Sequence, residues 1–383
     1  MATNNPFTPT FGSPPPLLAG REELIELFGE ALDDGPGSAG RATLYTGARG
    51  AGKTVLLNAV EDTARARGWL VVAETATPGF LTRLTDDHLP RLLAEHDPDA
   101  LKRRLSGFGL PANLGSLDWQ TIERHTRTLS FRSKVELLTG LLAENESGLL
   151  ITLDELHYRQ ASELREFGTV VQHAFRERRD LAFAGAALPA AIDELLNDEV
   201  LTFMRRADRH HVGAVADAAV REAIAQPIAT RGRSITDDAL DAMVAATEGY
   251  PFFIQLVGDQ VWRKAGAVSE ITLIAAQEGI TAARRRLGQL VHAPALATAS
   301  DVDKSFLLAM AQDDGASLLG DIAKRLNVDS NYAGQYRLRL IALELIAPAG
   351  YGRVQFALPY LRDYLREHTA TLGLPAHPRP TRR

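Results

Sequence analysis

Four side chains in this sequence have the types and the spacing to act on a phosphate chain. Lys53 and Thr54 close the run Gly47-Ala48-Arg49-Gly50-Ala51-Gly52-Lys53-Thr54, and Asp154 and Glu155 end the apolar run Leu149-Leu150-Ile151-Thr152-Leu153. The first run has the form G-x-x-x-x-G-K-[ST], the pattern of a phosphate-binding loop. Its glycines let the backbone turn tightly around an anion, while the loop N–H groups and the N-terminus of the next helix point at the charge. In such a loop Lys53 reaches the β- and γ-phosphates and the Thr54 hydroxyl binds Mg²⁺. Gly47, Ala48, Arg49, Gly50, Ala51, Gly52, Lys53, Thr54 and Val55 are therefore the candidate ligands of a nucleotide. Lysine is scarce, 6 residues against 36 arginines, so a chance match to the whole pattern is rare.

The two carboxylates suit the other half of that chemistry. Asp154 is placed to hold Mg²⁺, directly or through water, and Glu155 to orient and polarise an attacking water. Acids at the exit of a buried strand are a weak signal alone. About 100 residues after a phosphate loop they become a strong one. Asp154-Glu155-Leu156-His157 also spells the D-E-x-H of helicases. No second helicase-type core or motif accompanies it, and His157 reads as a helix-start residue. A third charged group, Arg205-Arg206 with Arg209, precedes a predicted strand. Arg205 and Arg206 either end a surface helix, where cations suit the dipole, or supply a finger to the γ-phosphate of a neighbouring subunit.

Those groups need elements to position them. Ala42–Thr46 reads as a strand before the loop and Val55–Val60 as a helix after it, the context a phosphate loop requires. Trp69–Glu74, Leu149–Leu153, Leu181–Ala186 and His211–Val215 read as further strands alternating with helices. This predicts an α/β class fold, a P-loop NTPase parallel sheet with helices on both faces. Residues 1–16 carry five prolines and read as a flexible arm, with the core at 17–216. An all-helical lid follows at 217–290, where Pro227 is expected to stop the first helix. Residues 291–300 read as a linker. From 300 to 368 three helices and a hairpin read as a winged helix: Ser317 and Asp329 or Ser330 as caps, a hairpin tip at Ala349–Gly352, and Pro359 opening the last helix. Asn331, Gln335, Arg337, Arg339 and Arg353 on its third helix and wing suit a DNA groove and backbone. Against DNA stands the charge, only 11 basic against 9 acidic side chains from residue 300 on. The same module could equally pack on a protein. Lys102-Arg103-Arg104 and Arg284-Arg285-Arg286 read as solvated faces, and 369–383 as a disordered Pro/Arg-rich tail.

Composition narrows the setting. The chain has 383 residues, a net charge of −6, 45% hydrophobic side chains and no cysteine. Disulfides, thiol catalysis and cysteine-bound zinc are excluded. No apolar run approaches the ~18 residues of a membrane span, and the N-terminal residues lack a signal-peptide pattern. A cytoplasmic protein is expected.

With these pieces in place, residues 17–368 resemble the AAA+ and STAND-type P-loop ATPases, in particular the origin-recognition-like prokaryotic ATP-binding proteins. The resemblance rests on Gly20-Arg21-Glu22 before the core, the Walker A loop, the Walker B pair Asp154-Glu155, the Gly249-Tyr250-Pro251 turn, and the terminal winged helix. It implies ATP and Mg²⁺, an adenine pocket lined by Leu18, Gly20, Arg21 and Pro251, and a lid that closes over the nucleotide. Homo-oligomers are within its range. Two departures matter. Ala184-Gly185-Ala186-Ala187 offers no polar sensor at the end of the fourth strand, which implies either slow hydrolysis or a water positioned by other groups. The lid turn lacks the arginine of processive motors. The expected function is a Mg-ATP-dependent switch. It is coupled to DNA through the winged helix, or to a protein partner as in signalling and defence ATPases, or else the chain is a nucleotide-binding scaffold without useful turnover.

Overall fold

Four short apolar runs and one polar edge strand become one parallel sheet, in the order Leu70–Thr75, Leu149–Leu156, Leu181–Ala187, Ala42–Thr46, Asp208–His211. In this computed structural model the described residues are 4–10, 15–95, 128–157, 161–189, 191–192, 195 and 202–369. Lys102-Arg103-Arg104 and the tail from 370 lie outside them. The chain divides into two units. A sheet unit comprises Arg21–Gly47 and Gly52–Gly213, and a helical unit comprises Met1–Gly20, Ala48–Ala51 and Ala214–Arg383.

The sheet unit runs α1 (Glu22–Asp33), β1 (Ala42–Thr46), α2 (Lys53–Ala66), β2 (Leu70–Thr75), short helices α3 (Phe80–Arg83) and α4 (Leu89–Ala94), and α5 (Phe131–Ala143). It continues with β3 (Leu149–Leu156), α6 (Ala161–Arg176), β4 (Leu181–Ala187), α7 (Thr202–Arg206) and β5 (Asp208–His211). Parallel strands need crossovers, and helices supply them. With both faces covered, central strands can be apolar throughout: every residue of β4 is buried. Phe167 of α6 anchors that side of the core, edge-on to Phe80 and Phe183 and stacked on Phe131. Ahead of β1, the buried Arg41 donates to the Ala31 and Leu32 carbonyls at the end of α1 and pairs with Asp180 at 3.0 Å. Its guanidinium also lies over the Trp69 ring. One side chain thus ties a helix end, which lacks backbone partners, to the sheet. β5 begins at Asp208, earlier than the expected His211, so Arg209 lies in the strand and only Arg205 and Arg206 precede it.

The helical unit opens with α8 (Asp217–Thr230), β6 (Ser234–Ile235), α9 (Asp237–Thr247), α10 (Pro251–Ala265), β7 (Glu270–Ile271) and α11 (Leu273–Leu287). Pro227 does not stop α8, which runs on to Thr230. A proline this near the C-terminal end removes a single helical hydrogen bond. Residues 291–300 are not a linker either. A π-helical turn, Gly288–His292, leads into α12 (Ala293–Ala297), and Val291 and Leu296 are buried. The arm is also tied down in part. Asn5 Nδ2 donates to Asp259 Oδ1 at 2.7 Å, the Thr8 N–H donates to Gln255 Oε1, and the buried Phe7 ring lies against Gly258 of α10.

The C-terminal segment has α13 (Asp301–Met310), β8 (Ser317–Leu318), α14 (Leu319–Leu326), α15 (Ser330–Ala342), β9 (Ile346–Pro348), β10 (Arg353–Phe356) and α16 (Leu361–Glu367). Ser300 and Asp303 form a reciprocal capping box on α13, and Asp329 caps α15 through the Tyr332 N–H. The three strands pair antiparallel in the order β8-β10-β9. Ser317 is in β8 rather than capping a helix, and α16 starts at Leu361 after Tyr360 in the left-handed region, not at Pro359. No described helix is long and apolar enough to cross a membrane.

Candidate functional site

The chain leaves β1 at Thr46 and enters α2 at Lys53, and the loop between them has little freedom to be anything else. Gly47 passes so close to the Val212 carbonyl that a Cβ would collide with backbone. Gly50 and Gly52 have φ of 76° and 88°, the left-handed region where glycine is unstrained. Gly52 then caps α2, so Lys53 and Thr54 occupy its first turn, where N–H groups that lack an intrahelical acceptor can meet an anion. Lys53 Nζ donates to the Gly47 carbonyl at 2.7 Å, folding the side chain back along the loop.

β3 brings the acids to this turn. Thr54 Oγ1 donates to Asp154 Oδ2 at 2.6 Å, and Asp154 Oδ1 accepts the Glu155 N–H at 2.8 Å. One strand register earlier, the buried Thr152 hydroxyl donates to Glu61 Oε1 of α2 at 2.6 Å, and Glu61 Oε2 pairs with Arg65. The α2–β3 contact is thus held at two points. Glu155 has φ of 54° at a register shift between Leu153 and Leu156, and it is exposed. A bulge at this place re-aims a side chain, and a non-glycine residue in the left-handed region costs energy that the surrounding structure must hold. Nothing in the residue types announced this conformation.

The donor set fits a magnesium ion rather than a caged metal. Among the described residues no three His, Cys, Asp or Glu side chains converge, and the site offers one hydroxyl and one carboxylate. Mg²⁺ commonly takes one or two protein ligands and completes its shell with phosphate oxygens and water. The loop N–H groups and Lys53 supply what a triphosphate needs. β4 ends in the buried Ala186 and Ala187, followed by Leu188-Pro189, so that strand presents no hydroxyl or amide to a water.

At the end of β2 lies a network that pattern reading missed. Arg83 donates to both oxygens of Glu74, at 2.9 and 3.1 Å, and to the Thr75 carbonyl and Thr77 Oγ1. Burial works to raise the Glu74 pKa, but the Arg83 hydrogen bonds and the Thr75 N–H outweigh it and hold the carboxyl below its ordinary value. Thr75 is the register partner of Asp154, so this network braces the strand beside the acid.

The other sequence candidates fall in both units. Arg205 and Arg206 are exposed at the end of α7. Arg21 is in the sheet unit, largely buried, with a guanidinium N–H donated to the Gly213 carbonyl; burial lowers its pKa against the charge of Glu22. Leu18, Gly20 and Pro251 are in the helical unit. Gly20 has φ of 72°, and Pro251 is the first residue of α10. Within the same unit the Tyr250 hydroxyl donates to the Arg49 carbonyl at 2.9 Å, and its ring leaves no room for a Cβ on Gly50.

The sheet order, the loop and the acid-bearing β3 define a P-loop NTPase fold with a helical C-terminal region. Residues 17–183 match the AAA ATPase domain, and residues 289–365 match a domain of unknown function (DUF8462). No match emerges among the curated proteins. Among solved structures, the Walker-type ATPase PABY2304 of Pyrococcus abyssi is 17% identical with a TM-score of 0.61, over 90% of this chain and 95% of that one. The ORC2 protein of Aeropyrum pernix, in its ADPNP-ADP complexes, is 14% identical with a TM-score of 0.56, over 95% and 96%. Its ADP form is 14% identical with a TM-score of 0.51, over 95% and 98%. At these identities the likeness is one of fold.

Proposed function

We propose that the protein is a Mg-ATP-binding, slowly hydrolysing switch whose C-terminal segment, read as a winged helix, passes nucleotide state to a partner. The observation that carries this reading is the Thr54–Asp154 hydrogen bond at the first turn of α2, beside Lys53. It joins the two residue types that hold a phosphate-bound magnesium ion, from segments far apart in sequence. Bound there, Mg²⁺ would neutralise charge on the β- and γ-oxygens. Lys53 and the loop N–H groups bind and orient the triphosphate. Glu155, exposed beside Asp154, accepts a hydrogen bond from water and aims its lone pair. With no polar side chain from the end of β4 to share that task, turnover is slow.

A specific observation favours a protein over duplex DNA as the partner. Arg339 is paired with the buried Asp303 at 3.0 Å, Arg353 reaches the Ala316 carbonyl, and Arg337 Nε is buried. Arg339 and Arg353 thus each have a partner within the fold, and Arg337 is partly withdrawn from solvent. The C-terminal segment also exposes two large apolar side chains, Leu338 at 63% and Tyr351 at 104% of full exposure.

The test is Glu155→Gln in single-turnover hydrolysis, with ATP affinity measured in parallel. Affinity is retained and turnover falls by about 10²–10⁴-fold, the usual contribution of a positioned base. A variant that hydrolyses as fast as wild type removes Glu155 from the chemistry.

A further inference from the structure

Glu344 stands after α15 with φ of 57°, and its side chain reaches the tip of the phosphate loop. Its Oε2 accepts the Arg49 N–H at 3.2 Å. The carbonyl of the same residue accepts the Tyr250 hydroxyl at 2.9 Å. Residue 49 is therefore gripped through both its backbone groups, and Ala48–Ala51 cluster with the helical unit rather than with the sheet. Burial first, and then the Glu344 charge, raise the Tyr250 pKa against the opposing charge of Arg49, so its hydroxyl stays a donor.

The chemistry of that contact is particular. The N–H groups of the loop are its means of holding an anion. One of them is here given to a carboxylate of the chain itself, from a residue 295 positions away. A neutral acceptor would satisfy the Arg49 N–H as well; an ionised one adds a negative charge where phosphate charge must also be accommodated. Like charges on one donor array compete.

We propose that the Glu344 carboxylate is an internal competitor for the phosphate loop, so that nucleotide binding and the hold of residues 344–357 on the loop tip oppose each other. The proposal rests on reading the loop as a nucleotide site. It gives the switch a physical form: nucleotide phosphate displaces the carboxylate and frees the β9–β10 hairpin that follows it.

The experiment titrates Mg-ATP calorimetrically into wild type, Glu344→Gln, Glu344→Gly and Lys53→Ala. Hydrogen exchange of residues 344–357 is followed with and without nucleotide. Glycine suits the left-handed backbone at 344 while removing the carboxylate, which guards against a variant that fails to fold. Both Glu344 variants bind ATP more tightly than wild type, by about 10–100-fold, the range of a charge-assisted hydrogen bond lost to the competitor. In wild type, nucleotide speeds exchange across 344–357; in Glu344→Gly, which has no acceptor for the Arg49 N–H, exchange there is already fast, and nucleotide changes it little. Affinities equal to or weaker than wild type in both Glu344 variants, with Lys53→Ala weakened, overturn this proposal alone. Should Lys53→Ala also match wild type, the nucleotide site falls and the competitor with it.

Discussion

Replacing Asp154 by asparagine separates metal binding from folding, because both carboxylate oxygens have an assigned partner. Oδ2 accepts the Thr54 hydroxyl at 2.6 Å and Oδ1 accepts the Glu155 N–H at 2.8 Å. Asparagine has one acceptor oxygen and one NH₂ group. The Glu155 N–H can only donate, so the amide oxygen must stay with it. Nδ2 then faces Thr54, whose hydroxyl must turn from donor to acceptor. Both contacts survive as neutral hydrogen bonds, so the fold loses only the charge-assisted increment, about 1 kcal/mol. The metal loses more. The negative charge is gone, and the Thr54 oxygen has committed a lone pair to the amide. A charge-assisted contact is worth about 1.5–3 kcal/mol, so the magnesium-dependent part of ATP affinity falls by about 10–100-fold. Affinity without magnesium rests on the loop and Lys53 and stays unchanged. Calorimetric titration in magnesium and in EDTA gives the ratio of the two affinities. That ratio collapses toward unity in Asp154→Asn. A ratio equal to wild type would refute the reasoning and leave the Thr54–Asp154 bond a purely structural clasp.

Two further outcomes follow from groups away from the loop. Burial lowers the His292 pKa from 6.5 to about 4, against the hydrogen bond its Nε2 makes with the Pro359 carbonyl. The unfolded chain therefore takes up this proton near pH 6.5 and the folded chain only near pH 4. Stability present above pH 6.5 is lost progressively down to pH 4, by up to about 3 kcal/mol. Urea midpoints at pH 7 and pH 4.5 measure the loss; His292→Phe shrinks it, and an undiminished pH difference in that variant dismisses His292 as its source. Random duplex DNA should show no retardation at low salt. A shift with a salt slope of about −0.9 per phosphate contact, reduced by about 1 in each of Arg337→Ala, Arg339→Ala and Arg353→Ala, would restore the DNA reading.

The phosphate loop was legible because its requirements fall within eight consecutive positions, and at four of them, Gly47, Gly52, Lys53 and Thr54, few residue types meet them. Central strands were legible because burial on both faces makes them continuous apolar runs. β5 was placed too late because it is an edge strand; Asp208-Arg209-His210-His211 needs no apolar pattern where one side faces water. Residues 291–300 read as a linker because Pro294 and a run of alanines resemble one. Yet Pro294 follows a π-helical turn, the kind of widening that accommodates a proline in a helix, and four buried side chains, Val291, His292, Leu296 and Ala299, fix the segment. Arg41, Arg83 and Glu344 were not found, and Tyr250 was read only as part of the Gly249-Tyr250-Pro251 turn, without its bond to the loop. Each acts through partners chosen by the tertiary fold, and nothing local distinguishes them from their neighbours.

The geometry of the acid pair follows from two periodicities meeting. Along β3, side chains alternate between faces, so Thr152 and Asp154 point the same way. Along α2, residues seven apart lie on one face two turns from each other. The pairs made are Thr152 with Glu61 and Asp154 with Thr54, so strand and helix run past each other in opposite directions with matching faces. Strict alternation would send Glu155 to the other face of the sheet, away from the loop. The bulge between Leu153 and Leu156 interrupts the alternation there, and the left-handed backbone at Glu155 leaves its carboxylate exposed at the strand exit. Leu156 then resumes pairing with Ala187 and is buried again. One extra residue in the strand is what allows two successive acids to take different tasks, Asp154 held to the helix and Glu155 open to water.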